Sequence, residues 1–326
     1  MNRKINWGII GLGKIAHVFA TDLIQSKEST LFGVASRNPD KAQAFAEKFQ
    51  AIKYFNNYQD LANNPNIDVV YIATPHVFHF ELTMMCLKAG KHVLCEKAFG
   101  MNEKEVKAMT EEAKRRNLFL MEAMWTRFIP ATETVLDLIN KGVIGQVKQI
   151  RADFGFMGNM NPDVRLHNKK LGGGSLLDIG IYPVFISLLL LGEPRSITAT
   201  AAFTSSGVDS FLAAILDFEN GEKAVLESTF EVQTATEAYI FGEKGSLKLH
   251  SRFHHSKKID VDIYGAKTNT IDINYLGNGY LHEIMEVENC IKRGETESSK
   301  MPHSMSLSLI RTLDLIRKEI GLDYHI

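Results

Sequence analysis

The chain is poor in cysteine. Cys86, Cys95 and Cys290 are spread over 326 residues with no C-x-x-C spacing. That excludes a disulfide framework and removes the usual signatures of zinc and thioredoxin-type chemistry; a reducing, cytoplasmic compartment is expected. An excess of either charge is also missing. Lys and Arg number 37 and Asp and Glu 38, for a formal net charge of −1. Neither nucleic acid nor an anionic membrane surface is therefore expected as a partner. With only eight prolines, and 24 glycines, long disordered or low-complexity stretches are not expected. No signal peptide is expected, because residues 1–4 run straight into a strand-like segment without an apolar h-region or a cleavage site. The longest apolar run, Ile181–Leu191, is broken by Tyr182, Pro183 and Ser187. It is too short to span a bilayer and reads as a buried helix. No metal site is expected: His254 and His255 are adjacent but lack a third ligand at metal spacing, and are assigned to an exposed loop.

What is present is an ordinary globular composition, 45% apolar and 23% charged, with a length suited to two domains. Residues 1–123 alternate two hydrophobic periods. Strands are expected at Ile5–Ile10, 30–35, 68–73, 92–95 and 118–121. Helices are expected from the glycine-rich turn to about residue 26, at Pro39–Phe49, at 80–89, and at 102–116, where Asn102 caps and Glu105 completes a capping box. Such alternation implies a parallel sheet with helices on both faces.

Gly11–Ala16 fits G-x-G-x-x-A between the first strand and the first helix. Gly11 permits the tight turn and Gly13 the approach of backbone to a pyrophosphate. Ala16 permits close helix–sheet packing, and the first helical N–H groups, from Lys14 and Ile15 onward, face the phosphates. The end of the second strand separates NAD from NADP. An Asp or Glu there would bind the ribose 2′-hydroxyl. This chain has Ser36 and Arg37 instead: a donor and a cation for a 2′-phosphate. NADP is therefore favoured over NAD.

Four further segments carry a family resemblance. Ala73-Thr74-Pro75-His76-Val77-Phe78-His79 and Ala89-Gly90-Lys91-His92-Val93-Leu94-Cys95-Glu96-Lys97 resemble the Gfo/Idh/MocA oxidoreductases. Met121-Glu122-Ala123-Met124-Trp125-Thr126-Arg127-Phe128, with Gly172-Gly173-Gly174-Ser175-Leu176-Leu177-Asp178-Ile179-Gly180-Ile181-Tyr182, is similar to one branch of them. That branch is the dimeric dihydrodiol dehydrogenases, also known as NADP-dependent D-xylose dehydrogenases. The resemblance implies that Thr74, Pro75, His76 and His79 flank the cofactor, with Glu96 and Lys97 near the nicotinamide. It makes Tyr182 the catalytic acid/base, Lys97 its assistant and Asp178 a third active-site residue. Ala98 departs from the family's Glu-Lys-Pro triplet. A cis bond before a residue other than proline costs about 3 kcal/mol more, so a trans Lys97–Ala98 bond is expected.

The residue chemistry is compatible with those roles. A tyrosine titrates near pH 10 and is a poor base at neutrality, unless a neighbouring ammonium such as Lys97 stabilises its phenolate. Asp178 and Tyr182, four apart in a helix-like segment, are expected to share a face. Trp125, Phe154, Arg165 and Tyr280 are candidates for the substrate pocket, with aromatic walls suited to a sugar or diol; packing and surface ion pairing are the competing roles. His17 follows the phosphate turn and is expected only to pack there.

From residue 124 to 326 the pattern changes. A helix at 130–141 precedes strand-like stretches at 147–156, 197–203, 212–218, 223–230, 238–241, 246–250, 258–264 and 270–275, with an Asn220-Gly221 hairpin signal. Helices follow at Tyr280–Arg293 and 304–320, the last one free to pack back on the first domain. The expected fold class is α/β: a Rossmann doubly wound parallel sheet, then an α+β domain on a large, mostly antiparallel open sheet. A second subunit covering that sheet would make a homodimer. The expected activity is hydride transfer between NADP and a sugar or small cyclic diol or carbonyl compound. The alternatives are a reductase of another carbonyl or imine, and a non-catalytic NADP-binding regulator. Retention of both Lys97 and Tyr182 argues against the regulator.

Overall fold

A computed structural model describes residues 3–159, 161 and 164–324. In chain order the elements are β1 (Ile5–Ile10), α1 (Lys14–Leu23), β2 (Ser29–Ala35), α2 (Pro39–Phe49), β3 (Lys53–Phe55), α3 (Tyr58–Ala62), β4 (Val69–Ile72), α4 (His79–Lys88), β5 (His92–Glu96), α5 (Glu103–Arg116) and β6 (Leu120–Ala123). Then come α6 (Pro130–Asn140), β7 (Val147–Gly155), α7 (Ile181–Leu191), β8 (Ser196–Phe203), β9 (Asp209–Asp217), β10 (Lys223–Thr229), β11 (Ala238–Gly242), β12 (Gly245–Leu249), β13 (Lys258–Ile263), β14 (Asn269–Asp272), α8 (Tyr280–Arg293) and α9 (His303–Ile320). The chain packs as two compact units. One holds the residues up to Trp125 together with Leu276–Ser306; the other holds Thr126–Tyr275 and the segment from Leu307 onward.

The sheet of the first unit is parallel throughout, in the order β3-β2-β1-β4-β5-β6. The order reverses at β1, so β1 and β4 diverge around a crevice at their carboxyl ends, where doubly wound sheets bind ligands. Their strands read as apolar runs because both faces are covered: Ile9, Ile10, Val69, Val70, Val93 and Leu94 are all fully buried. The three-residue β3 and the five-residue α3 are too short to show a period, and no expectation covered them. Strand β6 begins two residues later than its pattern suggested, because Asn117 closes α5 in a left-handed conformation and Leu118 N–H bonds Ala113 O.

The expectation that everything after residue 123 belongs to one domain meets a counterexample in α8. Its N-terminus is capped by a residue from α1. The fully buried Asp22 carboxylate accepts from the backbone N–H groups of Asn278, Tyr280 and Leu281 and from the Asn278 amide. Negative charge at a helix N-terminus is favourable, and α1 also packs along α8. Only folding brings residue 22 to residue 280.

The second unit is built on eight strands in the order β14-β13-β12-β11-β7-β10-β9-β8. The central pair, β7 and β10, is parallel and every other pair is antiparallel. The β9–β10 hairpin turns at Asn220-Gly221, with Gly221 at φ +89° and Phe218 N–H donating to Glu222 O. Helix α7 lies against β7 and β10. Ala224, Leu226, Ile240, Leu247, Leu249 and Ile259 are buried. Phe203 and Ile215 remain 44% and 43% exposed. The helical stretch ending in α7 is longer than the sequence run. It includes the π-helical turn Leu176–Gly180, and the segment Lys169–Leu191 is long and apolar enough to cross a membrane by length and composition alone, but 78% of its 18-residue apolar window is buried within the fold.

Candidate functional site

In the first unit, the expected cofactor residues gather along the carboxyl edge of β1, β2, β4 and β5. Gly11 follows β1 at φ +87°, and a Cβ there would lie 2.6 Å from the Ala73 carbonyl oxygen and 2.8 Å from Thr74 Cγ2. This is the close approach of β1 and β4 that only glycine permits. Gly13 has the opposite surroundings. It is the N-cap of α1 in an extended conformation, no side chain caps the helix, and a Cβ would meet nothing within 4 Å. Lys14 and Ile15 open the helix. Thr74 presents a buried hydroxyl with no hydrogen-bond partner. An open glycine at an uncapped helix N-terminus, with an orphaned hydroxyl on the neighbouring strand end, fits the phosphates and ribose of a dinucleotide.

The end of β2 holds no carboxylate. Ser36 is nearly buried and accepts from the Asn38 N–H, while the exposed Arg37 guanidinium lies 5.9 Å from the Phe78 ring centroid. Pro75 leads into a 3-10 turn, His76–Phe78, that delivers α4. His79 is fully buried, with Nε2 at 2.8 Å from Thr74 O and Nδ1 at 2.7 Å from Ala98 O. Both neighbours are acceptors, so only a doubly protonated ring satisfies both contacts. The His76 ring lies edge-on to it at 5.8 Å.

His79 thereby ties the cofactor loop to the segment after β5. Glu96, the last residue of β5, accepts from Tyr71 Oη at 2.5 Å and from Lys97 N–H at 3.2 Å. The Lys97–Ala98 peptide bond is cis, contrary to the expectation from local cost. That expectation counted no tertiary partners. Ala98 is wholly buried, its carbonyl faces His79, and the next N–H, of Phe99, donates to Glu122. Burial pushes the Glu122 carboxyl up to about 7, against hydrogen bonds from Ser306 and Phe99. Glu283 is also fully buried and has no hydrogen-bond partner for either oxygen. Burial, and then the charges of Glu96 and Asp22, raise its carboxyl well above the usual carboxylate range. Trp125 stacks on Tyr280 at 4.6 Å and 11°. Tyr280 starts α8, as expected, under the Asp22 cap and is 5% exposed.

In the second unit, Phe154 on β7 and Tyr182 in the first turn of α7 come together. Their ring centroids are 5.7 Å apart. His254 completes the group, stacked on Phe154 at 4.5 Å and tilted on Tyr182 at 4.9 Å. The expected exposed loop at His254-His255 is therefore corrected. His254 is 7% exposed. His255 holds the Tyr275 hydroxyl at 3.0 Å, and burial, then Arg252 and Lys257, push its imidazole down to about 4. The turn from Arg252, at φ +60°, swings this pair inward; a bare His-His dipeptide gives no sign of that. Among the described residues, no group of three His, Cys, Asp or Glu could hold a metal.

Asp178 lies in a π-helical turn, Leu176–Gly180, ahead of α7. The 3.6-residue spacing expected between Asp178 and Tyr182 is thus replaced by a wider turn, of a kind frequent at functional sites. Arg165 is the ion-pair partner of Asp178, Nη2 to Oδ1 at 2.6 Å.

Comparison with known proteins agrees with this architecture. Residues 5–124 match the GFO/IDH/MocA oxidoreductase family, NAD-binding Rossmann fold, and residues 132–248 match the GFO/IDH/MocA C-terminal domain. The trans-1,2-dihydrobenzene-1,2-diol dehydrogenase of Danio rerio is 36% identical over 331 residues, and that of Homo sapiens 33% over 329. Each alignment covers 98% of both chains. Among solved structures, a 3-ketoreductase from Actinomadura kijaniata in complex with NADP and TDP-benzene superimposes with a TM-score of 0.89 at 25% identity. An aldose-aldose oxidoreductase from Caulobacter crescentus complexed with glycerol gives 0.89 at 26%. Both cover 98% of each chain.

Proposed function

The chain belongs to the Gfo/Idh/MocA oxidoreductases, in the branch that holds the dihydrodiol dehydrogenases, and is an NAD(P)-binding enzyme acting on CH–OH groups; from that premise we propose that it oxidises a sugar or small cyclic diol with NADP, or reduces the corresponding carbonyl compound. The observation that carries the reading is the setting of Tyr182: a phenol at the head of α7, packed beside the stacked rings of Phe154 and His254. Aromatic walls around one polar tip suit the apolar faces and hydroxyl groups of such substrates.

The residues that would hold the cofactor are Gly11, Gly13, Lys14 and Ile15 at the phosphates, Ser36 and Arg37 at the 2′-phosphate, and Thr74, Pro75, His76, His79, Glu96 and Lys97 toward the nicotinamide. The missing acid after β2 supports NADP over NAD, as does the NADP in the Actinomadura relative. When bound, the nicotinamide supplies the carbon that accepts or gives the hydride. Tyr182 takes the substrate hydroxyl proton on its Oη in oxidation and returns it in reduction. Lys97 is the cation that favours the phenolate, with its backbone held by Glu96. Asp178 is the third active-site residue, held by Arg165. Trp125, Tyr280 and Phe154 line the substrate site. Two copies associate through the exposed face of the second sheet, around Phe203 and Ile215.

The test is NADPH formation by wild type and Tyr182→Phe with NADP⁺, D-xylose and a panel of aldoses and cyclic diols. The expected result is turnover by wild type and a loss of at least a hundredfold in the variant, with NADPH binding retained by fluorescence titration. Wild type that binds NADPH yet turns over nothing would favour the regulator; a fully active variant would remove Tyr182 from the chemistry.

A further inference from the structure

The segment that delivers Asp178 and Tyr182 starts at a glycine triplet, and a carboxylate from elsewhere in the second unit grips its first turn. Asp209, the first residue of β9, is wholly buried. Its Oδ2 accepts from Ser175 Oγ at 2.8 Å and from the Leu176 N–H at 2.6 Å. The other oxygen, Oδ1, has no hydrogen-bond partner. It lies so near Gly174 that a Cβ there would be 2.2 Å from it, and Gly174 itself sits at φ +116°. Across the triplet, the Tyr324 hydroxyl donates to Gly173 O at 2.6 Å. Ser228 on β10 lies 3.0 Å from Ser175 Oγ and donates no charge.

We propose that Asp209 is a positioning residue for Tyr182, and that its neutral form holds the start of the Tyr182 helix in the working geometry. The inference rests on the acid/base reading of Tyr182. Ionised, Asp209 makes charge-assisted bonds at the end of a helix where negative charge is favourable, but its buried Oδ1 then carries charge without a partner, and that cost is the larger. Protonated on the unpartnered Oδ1, it keeps the same two donors without the cost of a buried charge. Burial drives its carboxyl up to about 7, against the bonds from Ser175 and Leu176, so both forms are populated near neutrality. The other ionisable groups around it are the Tyr324 phenol, the Arg317 guanidinium over that ring at 5.4 Å, and Asp178, which is paired with Arg165. Burial, then Asp209, raises the Tyr324 phenol, so it stays neutral through this range.

The experiment follows amide hydrogen exchange of the 174–182 segment, corrected for intrinsic rates, from pH 5.5 to 9 in the whole protein. It also follows kcat and KM over that range with D-xylose or trans-1,2-dihydrobenzene-1,2-diol. Wild type should lose protection in one step as pH rises through about 7, and kcat should fall with it while KM changes less than about twofold. Ser175→Ala removes a bond that favours the charged form and should move the step to higher pH. Asp209→Asn, neutral at every pH, should abolish the step and keep the protection of the segment at pH 8.5 at its value at pH 5.5. Protection that is flat with pH in wild type overturns the proposal, as does a step unmoved in Ser175→Ala or preserved in Asp209→Asn. The exchange data need no turnover and Ser175→Ala keeps the carboxylate, so failure of one variant to fold leaves a decisive result. Full activity in Tyr182→Phe would instead refute the acid/base reading itself.

Discussion

Gly11 and Gly13 are two residues apart in one turn, and alanine at each should fail in opposite ways. At Gly13 the backbone is extended (φ −83°, ψ −171°) and a Cβ would meet no protein atom within 4 Å. Alanine is a poorer N-cap than glycine by roughly 0.5–1 kcal/mol, and it recovers about 0.4–1 kcal/mol by restricting the unfolded chain. The two nearly cancel, so the free protein should melt within a few degrees of wild type. The methyl group does intrude where a pyrophosphate must approach the backbone. Overpacking costs about 1–3 kcal/mol, which is a loss of roughly 5- to 150-fold in NADPH affinity. At Gly11 the added Cβ meets the Ala73 carbonyl at 2.6 Å at a positive φ. Left-handed backbone costs about 1–2 kcal/mol, and the Ala73 N–H donates to Ile10 O at 2.8 Å, which fixes that stretch of backbone beside β1. A fall of at least about 3 kcal/mol, or roughly 6–12 °C, is expected without any cofactor. Thermal melts of the free proteins and fluorescence titration with NADPH separate the effects. Wild-type NADPH affinity in Gly13→Ala would refute the phosphate cradle, and an unchanged melting temperature in Gly11→Ala would refute the packing at the switch point.

Two further outcomes follow from charges. Arg37→Ala should weaken NADP⁺ binding by roughly tenfold to a hundredfold through loss of a charge-assisted contact while leaving NAD⁺ binding unchanged; equal losses for both nucleotides would place Arg37 away from the 2′-phosphate. Glu122 has a folded pKa raised to about 7 by burial, so its contribution to stability is complete below about pH 4.5 and is lost as pH rises through about 7. Glu122→Gln removes that loss. Denaturant unfolding at pH 4.5 and pH 8 should show the wild type losing up to about 3 kcal/mol relative to the variant, and a gap independent of pH would show that Glu122 ionises normally.

The first unit was legible because its signals are local. A strand that ends in G-x-G-x-x-A and opens a helix sets the turn chemistry within six residues, and alternating periods of 2 and 3.6 imply a parallel sheet before any contact is known. The lack of an acid after β2 is likewise a local fact. The mostly antiparallel second sheet was marked by its short strands and by Asn220-Gly221. Where sequence misled, the missing information was always a distant partner. His254 looked like a surface residue until Phe154 and Tyr182 packed against it. Asp178 and Tyr182 were expected one α-helical turn apart until the segment widened to a π turn, beside a chain start that Asp209 holds.

Sequence alone therefore determined the fold class and the nucleotide-binding edge, because each follows from spacing within a short stretch or from a motif read whole. Tertiary structure decided the rest. It returned α8 to the first unit through Asp22, turned the Lys97–Ala98 bond cis between His79 and Glu122, and sank Glu122, Glu283 and Asp209 out of water. The physical reason is the same in each case. Burial and pairing are properties of groups far apart in the chain, and neither the proton affinity of a carboxyl nor the conformation of a peptide bond is fixed until those groups meet.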